Sequence, residues 1–187
     1  MIKFSYLKNQ ISNAKKVLGK SNVIQLKKYI LIKDIEIPKK FGEERGVLCL
    51  EIPEGYGYGV EIMNVHILLD KNKAKSHFHE IPWNSMPIEV VDEFHLGNKI
   101  INSWYWICFH ILPEANLQNE NHETVALTEF PRLIYIVLKA IADEDPGMMG
   151  QLQEMNQTRD EFLNEYKKLM NQITLENNWK KLSWMYS

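Results

Sequence analysis

The chain has 187 residues, of which 45% are hydrophobic and 25% charged, and its formal net charge is -2. That length suits a single domain over residues 1–187 with a sizeable core, and the composition excludes wholesale disorder. Its lysines fall as scattered pairs (Lys15-Lys16, Lys27-Lys28, Lys39-Lys40, Lys167-Lys168, Lys180-Lys181) with no dense basic block, so nucleic acid is not an expected partner.

Residues 4–18 place Phe4, Leu7, Ile11 and Leu18 on one helical stripe, and Gly19 follows as a stop. "YILIKDIEIP" then alternates like a strand and ends at a proline, although Ser21 is equally placed to start a helix through "NVIQLKKYI". "GVLCLEIP" and "GVEIMNVHILLD" are β-rich runs joined by "EGYGYG". A phosphate-cradling glycine loop needs a helix after it, whereas the segment after these glycines is strand-like, so a hairpin connection is expected.

After the charged loop "DKNKAK" come "SHFHEIPW" and "NSMPIEVVDEFHLGNK", whose prolines and glycine predict irregular connections. "KIINSWYWICFHILP" is apolar on both faces, as a strand covered on both sides should be. "PEANLQNENHE" reads as a polar surface loop. "EFPRLIYIVLKAIAD" predicts a buried helix capped by Thr128 and stopped at "DEDPG". From Gln151, Leu152, Met155, Arg159, Phe162, Tyr166, Leu169 and Ile173 keep helical spacing, which predicts a long amphipathic helix. The fold class that results is α+β: a mostly antiparallel central sheet with an N-terminal helix and two C-terminal helices packed on it.

Cys49 and Cys108 are too few for a secreted disulfide scaffold, and both sit in apolar runs as small core residues do. The opening "MIKFSYLKNQ" lacks the apolar core of a signal peptide, and no apolar run approaches the roughly 20 residues of a membrane span. A cytoplasmic protein with no membrane partner is the expectation.

Two constellations carry a functional signal. In "KSHFHEIPW", His77 and His79 would point to one face if residues 76–81 were extended, which is the start of a site for zinc or another divalent metal. Glu80 would then face the other way, and a third ligand would have to come from His66, His95 or His110. The glutamate that comes after a His-x-His pair in cupins is replaced by Ile81, Pro82 and Trp83, so that family's pattern is not met. Two ligands do not make the three or four that zinc needs, so exposed or hydrogen-bonded histidines beside a basic loop are the favoured reading. Cys108 and His110 lie two apart on a strand, roughly 7 Å, too far for an activated nucleophile, and no G-x-S-x-G, Walker or H-E-x-x-H element occurs.

The second signal is aromatic and acidic. Tyr56, Tyr58 and Trp83 fall in turn-rich stretches, with Glu89, Asp92, Glu93, Glu120 and Glu123 in the loops beyond. Exposed Tyr and Trp give large contact area at small entropic cost, which favours protein interfaces. These residues make the expected partner-binding set of a non-catalytic protein without a cofactor, for instance a bacterial immunity or antitoxin-like protein that neutralises a basic toxin domain. The alternative is a metal-dependent enzyme or metal-binding domain using His77 and His79.

Overall fold

In the computed structural model, residues 2–60, 62, 64–75, 77–94, 101–107, 125–147 and 149–150 are described. The chain falls into two units, Met1–Met148 and Met149–Ser187, and the sheet and helices belong to the first. The predicted helix from Gln151 and the loop carrying Glu120 and Glu123 lie outside the described residues.

Helix α1 spans Phe4–Leu18 and ends at Gly19, whose φ of 99° suits a residue without a Cβ. Its buried stripe is Leu7, Ile11 and Ala14. Phe4, counted into that stripe from spacing, is 74% exposed, and the small Ala14 takes the close-packed place. Strands β1 (Val23–Leu26) and β2 (Tyr29–Glu36) come next as a tight hairpin in which Leu26 pairs with Tyr29. Lys27 turns the chain at a φ of 48°, and the helix that Ser21 could have started does not form. A second β-rich pair, β3 (Arg45–Glu51) and β4 (Val65–Asp70), is also antiparallel, so a strand comes after the glycine loop, as expected for a hairpin connection.

Beyond β4 the chain makes a four-residue helix α2 (Lys71–Ala74), a two-residue strand β5 (Glu80–Ile81), a short helix α3 (Ile88–Asp92) and strand β6 (Asn102–Trp106). Among the described residues the six strands form one antiparallel sheet in the order β1-β2-β3-β4-β6-β5. In β6 the consecutive residues Ser103, Trp104 and Tyr105 are all buried, which matches the expectation of cover on both faces.

Helix α4 (Phe130–Ala142) buries Phe130, Leu133, Ile134, Val137, Leu138 and Ile141 and packs against β2. Its start corrects the expectation for Thr128: Glu129 holds the N-cap position in helical backbone without a side-chain bond, and Pro131 opens the first turn, where a missing N–H costs nothing. The other end is tied by Lys40, whose Nζ donates to the Ala142 carbonyl and to Glu144 Oε1, both at 3.0 Å. A cation there satisfies a terminal carbonyl and complements the helix dipole. Gln10 Oε1 accepts the Leu127 N–H at 3.3 Å, linking α1 to the residues before α4. The fold is thus α+β, an antiparallel sheet with an N-terminal helix and a helix after the last strand.

The two faces of the sheet are covered differently. On one, Leu31, Cys49, Leu68, Trp104 and Ile81 of β5 pack with Met86 and Val90. On the opposite side of the pleat, Ile30, Ile32, Leu48, Leu50 and Ile67 are fully buried as well.

Candidate functional site

Residues 81–94 cover the face formed by Leu31, Cys49, Leu68 and Trp104, and two prolines shape the segment. Pro82 begins a 3-10 turn (Trp83–Ser85) closed by Ser85 N–H to the Pro82 carbonyl at 2.8 Å. Pro87 begins α3, accepting from the N–H groups of Val90 (2.9 Å) and Val91 (3.0 Å). A fixed proline φ and an absent donor make each a good place to start a helical turn. Met86, Val90 and Phe94 recur every four residues and point to the sheet, whereas Ile88 and Asp92, also four apart, face outward.

Trp83 is half-buried. Its indole N–H donates to the Asn102 carbonyl at 3.1 Å, and its ring meets Trp104 and Phe94 edge-on at 6.0 and 6.2 Å. These contacts anchor the ring against the sheet. Ile88 on α3 is 69% exposed, one of six large hydrophobic residues exposed among the described residues.

The acidic residues of the segment are less free than their sequence suggests. Glu89 is paired with Lys27 of the β1–β2 turn, and Glu93 Oε1 lies 2.6 Å from Lys33 Nζ. The hydrogen bond from Lys27 holds the Glu89 carboxyl below its ordinary range. Lys33 also sits 5.9 Å over the Phe94 ring. An acidic face therefore narrows to a mixed one, in which Ile88 and Asp92 are exposed and Glu89 and Glu93 tether the segment to β1 and β2.

The tyrosines divide. Tyr56, expected at the surface, is fully buried because the glycine loop folds back on α1: the Lys3 N–H donates to its carbonyl at 3.0 Å, and its ring meets Tyr6 at 5.4 Å. Burial pushes its phenol above the ordinary range, and its hydroxyl has no hydrogen-bond partner among the described residues. Tyr58, two residues on, is 64% exposed with Lys3 Nζ 5.6 Å above its ring. The structure thus gathers Trp83, Glu89, Asp92 and Glu93 in one segment and removes Tyr56 from the surface, while Glu120 and Glu123 lie outside the described residues.

The His-x-His pair is not on a strand. Residues 77–79 form a turn after α2, with the N–H groups of His77 (3.0 Å) and Phe78 (3.2 Å) both donating to the Ala74 carbonyl. The anchor is the residue between the histidines: Phe78 is buried, 5.2 Å from Phe41 and 6.1 Å from Tyr105. The His77 ring rests edge-on against Phe41 at 5.5 Å, and its Nδ1 is buried with no hydrogen-bond partner among the described residues. Burial, with help from nearby Lys40, lowers its pKa, and Glu144 opposes them. His66 lies on β4 opposite Cys49 and Trp106. His95 and His110 lie outside the described residues, among which no three His, Cys, Asp or Glu side chains come together as a metal would require.

Cys49 is buried, and desolvation pushes its thiol to about 12, the opposite of what a nucleophile needs. Cys108 lies outside the described residues. No helix of the described residues is long and apolar enough to cross a membrane. Sequence reasoning missed Ile88 as the apolar centre and Lys27 and Lys33 as the partners of the acids; the four-residue spacing of Met86, Val90 and Phe94 was the available signal for the first. The chain matches no protein family model, no curated protein and no solved structure.

Proposed function

We propose that the protein binds another protein and catalyses nothing itself, as a cytoplasmic, bacterial immunity or antitoxin-like protein that neutralises a basic toxin domain. The observation that carries this reading is Ile88, 69% exposed on α3, in the segment that also carries half-buried Trp83 and exposed Asp92. An apolar residue set in a polar frame, on a segment held by a proline-started turn and ion pairs, has the composition of an interface centre and rim. Rigid anchors bind with little loss of side-chain freedom.

The test is co-expression with the product of the adjacent gene, followed by affinity measurement with Ile88→Arg and Asp92→Lys. A stable complex, relief of that product's toxicity, and a Kd raised at least about tenfold by either substitution at unchanged circular dichroism are expected. A complex that ignores both substitutions, or no complex and no relief, overturns the reading.

A further inference from the structure

Beside the Trp83–Phe94 contact the sheet opens into a pocket of about 300 Å³. It lies where β3 begins and β4 ends, with Val47, Leu68 and Phe94 among its apolar walls and Glu43, Arg45 and Asp70 as its charged groups. The charges are not equivalent. Arg45 is turned to the β2 bulge, where its Nη1 donates to the Asp34 carbonyl at 3.2 Å and its Nε lies 3.6 Å from Asp34 Oδ1. Glu43 and Asp70 have no cationic partner among the described residues; Asp70 uses Oδ1 to accept the Asn72 N–H at 2.8 Å and so caps α2.

A cavity lined by Glu43 and Asp70, neither paired with a cation among the described residues, together with apolar side chains and the Phe94 ring, fits a cation carried on an aliphatic stem. We infer that this pocket receives an arginine or lysine side chain of the protein partner. The inference rests on the protein-binding function and specifies the partner's chemistry: its basic side chain enters beside Phe94, whose ring also touches Trp83 of the exposed segment. A volume of about 300 Å³ accommodates one such side chain with solvent.

The test uses the whole protein and Nα-acetylated arginine amide as probe, with Nα-acetylated citrulline amide as the uncharged control, read by NMR at the backbone amides of Val47, Leu69, Asp70 and Asn102. Saturable shifts with arginine amide alone are expected. Asp70→Asn keeps a residue able to cap α2 while removing the charge, and Glu43→Gln changes an exposed side chain. Each should weaken the probe roughly tenfold or more, the usual loss for a charge-assisted hydrogen bond. Equal binding of citrulline amide, no shift at these amides, or wild-type affinity in both variants overturns the inference. Because the probe needs no partner, its binding would stand even if no complex were found; a complex indifferent to Glu43→Gln and Asp70→Asn would sink the pocket and spare the protein-binding function.

Discussion

Gly55, Gly57 and Gly59 all have positive φ, yet they are not equally replaceable. A Cβ at Gly59 meets nothing within 4 Å, whereas at Gly55 it would lie 2.5 Å from Val60 Cγ2. Gly55→Ala therefore combines left-handed backbone strain with a clash, and should lower unfolding free energy by about 1–3 kcal/mol in urea titration. Gly59→Ala, strained but unobstructed, should cost less; equal losses would mean that the clash relaxes freely. The same loop shows where residue-level reading stopped. Tyr56 and Tyr58 look alike in "EGYGYG", and only the fold-back of the loop onto Lys3 and Tyr6 buries one of them. That contact joins residues about 50 apart, and no local pattern encodes it.

At the scale of elements, alternation and helical period made most of the sheet and both described long helices legible, because each buries one face and their apolar residues repeat accordingly. Short elements were harder. Residues 23–26 satisfy either a strand or a helix until pairing with β2 decides, and His77 and His79 would share one face only as a strand, whereas the buried Phe78 between them anchors a turn. The segment carrying the candidate interface is five helical residues and a 3-10 turn, too short for periodicity to stand out. Its stability comes from insertion, with Met86 6% exposed over Leu31, Cys49 and Trp104. The ion pairs to Lys27, whose side chain is exposed, and to half-buried Lys33 add about 1 kcal/mol or less each. Met86→Ala should accordingly cost about 2–5 kcal/mol, and Glu93→Gln less than about 1 kcal/mol, by denaturant midpoint. If the glutamine variant proved the more damaging, ion pairing and not packing would hold the segment.

For the whole molecule, acid sensitivity separates into two windows. Glu44, Glu89 and Glu144, each hydrogen-bonded to a lysine, have pKa values below the ordinary 4.5, so the stability they contribute is present above that value and is lost only in stronger acid. His77 acts earlier. Its imidazole is half-buried against Phe41, and burial with Lys40 lowers its pKa below the ordinary 6.5. The unfolded chain therefore takes up the proton first. Neutral His77 contributes its full stability above about 6.5, and the contribution is lost as pH falls through the lower folded value. Protonation would also set a second positive charge near Lys40, the side chain that ties the end of α4 through Ala142 and Glu144. A His77→Phe variant keeps an aromatic ring between Phe41 and Phe78 and cannot titrate. Between about pH 7.5 and about pH 5.5 the wild-type urea midpoint should fall, and in His77→Phe that fall should be flattened. A variant as pH-sensitive as the wild type over this range would assign the proton uptake to other groups and remove His77 as the hinge of acid stability.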